Sequence, residues 1–388
     1  MESPNAIIVK SSNGKSITFR SISSNIDKVI ITLYREFLDD PDKSQVFRQL
    51  PNDFQINIEK YLLTIPNESK AQEKLLTGLT GIWKHYFLHE QYVKAIQYLE
   101  TLLNRIIYWE YKYNYHINKS CIYYFLGGTY ILNGNYSQGF LHFHSSYEED
   151  KLGQNAVSRT NTPAFLFVTL DSSVNNQYWG HLLWGVTHFL KQKIENYNKL
   201  IGSNLSVEEL RRDFLQKADL DIIFQFSFTF FRLFALEVYD KRYINDSMFS
   251  SQYRGSLLFS LLLIIENAIK STREKSASTG AFTNQAGYLL RNIYSPHLNE
   301  NDLSKINPSE GISFSELINS LLQEDYKYEG ICLHTREKSV VISRLIRNKI
   351  AHSSEALPII GDCFTDILQS ILNMLFLVVD NLYLQIDG

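Results

Sequence analysis

At 388 residues with 44% hydrophobic side chains, the chain is long enough for two or three domains and apolar enough to bury full cores, which excludes chain-wide disorder. A net charge of −3 excludes a generally basic, sequence-blind nucleic-acid binder, so any RNA site must be a local patch. The 24 Tyr and 24 Phe, beside 18 Gly and 8 Pro, favour helices packed through aromatic contacts over a loop-rich sandwich.

The start, "MESPNAIIVK", lacks the charged-then-apolar layout of a secretory signal. The longest apolar run, "LLFSLLLII" at 257–265, is far too short to span a bilayer. Cys121, Cys332 and Cys363 are widely separated and form neither a disulfide framework nor a zinc pattern. A cytoplasmic chain with reduced thiols, no cofactor, no bound metal and no membrane partner is the expectation.

Residues 6–20, "AIIVKSSNGKSITFR", predict two short strands around an Asn-Gly turn. From about residue 24 the apolar spacing becomes helical, as in "NIDKVIITLYREFL" and "FQINIEKYLLTI". Two later stretches resemble each other, "IWKHYFLHEQYVKAIQYLE" at 82–100 and "LGGTYILNGNYSQGFLHFH" at 126–144. They align Tyr86 with Tyr130, Tyr92 with Tyr136, Ala95 with Gly139, and Tyr98 with His142 beside Phe143. The layout is helix, short turn, helix, with a small residue where the second helix crosses the first. This is similar to a tetratricopeptide repeat, although the 44-residue offset (126 minus 82) exceeds the usual repeat of about 34. His85 and His89, four apart, have zinc-ligand spacing but no evident third ligand, and His142 with His144 flanks Phe143; packing is the expectation for all four.

Residues 163–200 predict further helix, and "IGSNLSVEEL" at 201–210 a linker leading into a helix capped by Ser206 and Glu209. Helices are expected over roughly 213–240, 250–272, 281–294, 313–324, 335–352 and 359–386, with "YSPHLNENDLSKINPSEG" as a polar loop. The expected fold is therefore mainly α: a 1–70 segment with a short β-hairpin plus helices, a TPR-like helical region over 71–205, and a helical bundle over 206–388.

One stretch carries chemistry. "SRLIRNKIAHSS", 343–354, places Arg347, Asn348 and His352 on one short helical segment. Arg347 and His352, five apart, differ by about 140° and about 7.5 Å, so they do not face each other within one chain. Asn348 and His352 share a face. Arg336, Arg344 and Lys349 make the segment locally basic and are the expected RNA-binding side chains. A second copy, brought up by two-fold symmetry, would place two His and two Arg around one cleft. RNA can be cut there without metal: a base draws the proton from a ribose 2′-OH, and Arg stabilises charge on the phosphoryl oxygens.

"RNKIAH" resembles the R-polar-x-x-x-H motif of the HEPN superfamily of helical ribonucleases, which includes CRISPR-associated nucleases, abortive-infection proteins and toxins. The resemblance covers roughly 213–388, including the apolar "ALPIIGDCFTDILQSILNMLFLVV" and the earlier helix "LLFSLLLIIENAIK". Glu266 on that earlier helix resembles the acidic residue often found on an early HEPN helix, and is assigned a supporting role; pairing with Lys270 on a solvated face is the alternative. The resemblance implies a HEPN-like bundle, a homodimer through it, Arg347, Asn348 and His352 as catalytic residues, and 2′,3′-cyclic phosphate products. A second stretch, "RNIYSPH" at 291–297, also runs from Arg291 to a His, but Pro296 should end its helix and make His297 a loop residue.

The function expected is a metal-independent endoribonuclease cutting single-stranded RNA, in antiviral defence or as a toxin. The alternative is a catalytically inactive HEPN/TPR-like scaffold or sensor that binds a protein or nucleotide partner, with the TPR-like region taking the protein. No alternating strand–helix pattern with a glycine-rich first turn is visible in the N-terminal half, which argues against the dinucleotide-type sensor that many HEPN nucleases carry.

Overall fold

The computed structural model describes residues 6–41, 50–65, 70–152, 158–171, 176–240, 248–272, 282–293, 295, 297–309, 311–352 and 356–384. The fold is mainly helical, with two short β-hairpins among the described residues. The chain divides into two units, Met1–Leu166 and Phe167–Gly388. The division falls well before the 201–210 stretch read from sequence as a linker.

In the first unit, β1 (Ala6–Lys10) pairs antiparallel with β2 (Ser16–Arg20), with Ile8 opposite Thr18. Gly14 sits in the left-handed region (φ 82°) that a tight hairpin turn demands and that glycine adopts without strain. Val9, Ile17 and Phe19 alternate onto the buried face, against α1 (Ser24–Asp39) and α4 (Gly81–Leu88). Tyr34 of α1 is fully buried; its hydroxyl accepts from the Gly81 amide at 3.0 Å and donates to the Gly78 carbonyl. Helices α2 (Asn52–Leu62) and α3 (Lys70–Leu79) complete this end.

Two helix–turn–helix pairs follow: α4 with α5 (Tyr92–Tyr113), and α6 (Ser120–Leu132) with α7 (Tyr136–Lys151). The small residue at the second crossing is Gly139. A Cβ there would lie 2.4 Å from Ile131 Cγ1 and 2.8 Å from the Gly127 carbonyl oxygen, so only glycine allows the approach. Trp83 links the pairs, stacking on Phe125 (centroids 4.1 Å apart) and donating from Nε1 to Thr129 Oγ1 at 2.9 Å.

The long offset between the pairs has a visible cause. Helix α5 runs 22 residues, and an irregular segment, 115–119, follows it before α6. That segment is held by a charge network: buried Lys119 reaches Glu110 at 2.7 Å and Glu149 at 3.1 Å, and His116 Nε2 lies 3.0 Å from Glu149. His85 packs edge-on against Phe37 (5.4 Å) and beside His89 (4.5 Å), and His142 stacks on Tyr130 (5.3 Å).

In the second unit α8 (Pro163–Val168) crosses the division, and α9 (Asn176–Ile201) leads to α10 (Val207–Glu209). The capping box forms as expected: Ser206 Oγ accepts from the Glu209 amide at 3.2 Å, and the Ser206 amide donates to the Glu209 carboxylate at 2.9 Å. Then come a π-turn over Leu210–Leu215, α11 (Leu220–Asp240), α12 (Met248–Ser271), α13 (Phe282–Asn292) and α14 (Glu300–Lys305). Helix α14 lies inside the stretch expected to be loop, because Asn299 caps it and Asp302 closes the box. After α15 (Phe314–Leu322) a small hairpin, β3 (Lys327–Tyr328) and β4 (Ile331–Cys332), precedes α16 (Thr335–His352).

The helix expected over 359–386 is broken. Helix α17 (Leu357–Asp362) stops at Cys363 and α18 (Phe364–Val378) begins there, running into a π-turn over Val379–Tyr383. Arg254 Nη1 donates to the Gly361 carbonyl (3.4 Å) at the break, and Gly361 packs close to Ser251 of α12. Phe364–Tyr383 is long and apolar enough to cross a membrane, but two thirds of it is buried against α16, α12, α9 and the π-turn of Leu210–Leu215, as a core helix is.

Candidate active site

Helix α16 is the axis of the second unit. It packs on α18, α13, α12, α15 and α9, and every residue from Ser339 to Ile346 is buried. Both ends reach the surface: Thr335, Arg336 and Lys338 are half-buried in the first turn, and in the last turn Arg347, Lys349 and Ile350 are half-buried and Asn348 and Ala351 exposed. The last turn carries "RNKIAH". Helix α16 ends on His352, whose side chain, with residues 353–355, lies outside the described residues.

Arg347 is held from α12. Its Nη2 lies 3.2 Å from Glu266 Oε2, and its guanidinium sits over the Phe259 ring at 5.0 Å. The other carboxylate oxygen of Glu266 takes Lys270 Nζ at 2.6 Å. Phe259, Glu266 and Lys270 fall at i, i+7 and i+11 on one stripe of α12, so Phe259 and Glu266 both meet Arg347 and Lys270 pairs with Glu266 from behind. Glu266 is only 12% exposed, so it bridges two cations in a shielded place and leaves the trio with one net positive charge. The sequence singled out Glu266 and noted Lys270 as its neighbour. It did not find Phe259, although the seven-residue spacing to Glu266 was the available signal.

The remaining basic residues disperse. Arg344, expected on an RNA-facing stripe, is 2% exposed. Its guanidinium donates to the Ile306 carbonyl and to Asn307 Oδ1 (3.2 Å), and burial pushes its pKa down to about 10. The correction has a simple cause: the 306–307 segment, read as open loop, folds over the middle of α16. Arg336 lies eleven residues before Arg347, about 16 Å along the helix. It is near the Tyr197 hydroxyl, which donates to Asp380 at 2.9 Å and whose pKa burial raises. Lys349 places its ammonium 5.7 Å from the Phe314 ring centre, on the same turn as Arg347. Arg347, Asn348 and Lys349 therefore share one turn, with Arg347 turned to α12 and Lys349 to Phe314 of α15, and Arg336 and Arg344 lie elsewhere.

The "RNIYSPH" stretch leaves its helix as expected, α13 ending at Asn292; Tyr294 and Pro296 lie outside the described residues. His297 is tied to the start of α16 instead. The fully buried Glu337 carboxylate accepts from Ser295 Oγ (2.5 Å), the His297 amide (3.1 Å) and the His334 amide (2.8 Å). The His297 and His334 rings stack above it, centroids 5.0 Å apart. This end of α16 is a helix-start anchor, and its carboxylate is saturated by donors of the chain itself.

Comparison with protein-family models, with curated proteins and with solved structures found no match.

Proposed function

We propose that this protein is a metal-independent endoribonuclease of the HEPN type, acting on single-stranded RNA as a homodimer through its second unit. One observation supports the reading above the others: the last turn of a helix buried along its middle reaches the surface bearing Arg347 and Asn348, with Arg347 fixed by Glu266 and Phe259. A guanidinium held by a carboxylate and an aromatic face is preorganised, and preorganised donors are what a developing phosphoryl charge needs. In this mechanism His352 removes the 2′-OH proton. The 2′ oxygen then attacks the adjacent phosphorus, and the 5′-oxygen leaves after taking a proton from the partner copy's imidazole, giving a 2′,3′-cyclic phosphate. Arg347 and its symmetry mate carry the charge on the non-bridging oxygens, and Asn348 orients the imidazole. A role in antiviral defence or as a toxin belongs to the same proposal.

The test is incubation of the purified chain with labelled single-stranded RNA in EDTA. Cleavage that persists, with cyclic phosphate ends, supports the reading. Cleavage that vanishes with chelator and returns with magnesium sinks it. A second reading, an inactive scaffold or sensor, is favoured by the same ion pair taken as mere helix fastening; it predicts no cleavage under any condition.

A further inference from the structure

Helix α9 presents a face that the nuclease reading does not use. His181, Trp184, His188 and Lys191 follow at spacings of three and four along it, so they form one stripe, and all four are exposed. Trp184 is 68% exposed, whereas the chain's other three tryptophans, Trp83, Trp109 and Trp179, are at most 1% exposed. A large indole left in water is costly in lost burial, which makes it a sign of something that covers it.

The geometry defines the occupant. One side of the indole is taken by the His188 imidazole, stacked nearly parallel (7° between planes, centroids 5.2 Å apart). His188 is in turn hydrogen-bonded to Gln192 (3.1 Å), which fixes the ring. One turn back lie His181 and Gly180, the latter with no side chain, and the indole's 68% exposure leaves its other face in water. What remains is a flat aromatic surface backed by a second ring and open on one face. From Asn176 through Lys193 the helix carries no carboxylate; Lys191 and Lys193 are its charges, and the first acid is Glu195, 3.8 Å from Lys191. Lys193 is itself matched by Glu237 at 3.1 Å.

We infer that this face is a stacking platform for single-stranded RNA, with an unpaired base on the open side of Trp184 and the adjoining phosphates toward His181 and Lys191. A flat open ring suits a flat ligand, and a helix free of acids from Asn176 through Lys193 suits one with phosphates. A duplex could not use the slot, because its bases are already stacked.

The platform lies on α9 and the Arg347 turn on α16, and the test of the platform needs no cleavage. A 2′-O-methylated oligouridine, which has no 2′-OH to attack, is titrated into the full chain while tryptophan emission is followed. Trp184 supplies the solvent-exposed, red-edge emission, so stacking should quench that edge. Trp184→Ala should abolish the quench and weaken affinity about ten- to a hundred-fold, and Trp184→Phe should bind within a few-fold of the parent. No quench in the parent, or unchanged affinity in Trp184→Ala, overturns the platform. A change of sedimentation mass in Trp184→Ala also overturns it, by showing that the face is covered by a second copy. A chain that quenches but never cuts RNA refutes the nuclease reading and leaves the platform standing.

Discussion

At the scale of single residues, Arg347 separates catalysis from fastening. Lys keeps the charge but loses the planar fork that spans Glu266 and rests on Phe259. If the guanidinium meets a phosphoryl oxygen in the transition state, Arg347→Lys should slow single-turnover cleavage roughly ten- to a thousand-fold while RNA affinity changes little. Equal rates would remove Arg347 from the mechanism. His352→Ala should abolish cleavage, and His297→Ala should leave it within a few-fold, because His297 meets Glu337 through its backbone amide. A third residue makes a pH prediction. Burial, then His89 and Lys15, lower the His85 pKa from 6.5 to about 4. The folded state therefore binds fewer protons than the unfolded chain between about pH 4 and 6.5, so stability is present above that window and is lost as pH falls through it. Urea midpoints at pH 7.5 and pH 4.5 should lie closer together in His85→Phe than in the parent; an unchanged gap would show that His85 does not contribute.

At the scale of elements, close approach decides more than propensity does. Gly139→Ala puts a methyl against Ile131 and against the Gly127 carbonyl, and backbone cannot yield as a side-chain end can. The variant should lose about 1–3 kcal/mol, read from urea unfolding at constant m-value. Gly134→Ala offers a comparison of a different kind, since its Cβ would meet open space but its φ of 82° strains any side chain. Helix α16 teaches a related lesson. Its basic residues look like one surface stripe in sequence, yet Arg344 is interior because the Ile306–Asn307 segment folds over the middle of the helix and takes its guanidinium.

At the scale of the whole molecule, the 115–119 connection between the helix pairs is held by charge. Lys119→Ala would leave Glu110 and Glu149 facing each other without their shared cation. A loss of about 3–5 kcal/mol is expected, measured as a fall in the denaturation midpoint, with Lys119→Arg recovering part of it. The proposed dimer predicts that cleavage per chain falls on dilution, and that an excess of inactive His352→Ala chain suppresses cleavage by the parent when the two are mixed. The mainly helical class, the first hairpin, the Ser206 cap and the helix that bears Arg347 were legible in the sequence, because each rests on local signals: apolar period, turn residues, a capping pair. Glu266 was legible as an acid but not as the partner of Arg347, since 81 residues separate them and only the packing of α12 on α16 brings them to 3.2 Å. The break at Cys363, the short α14 and β3–β4 elements, and the burial of Arg344 were decided by tertiary structure. Periodicity reports that a helix has an apolar face; it does not report how many neighbours surround it, or which of its turns are left in water.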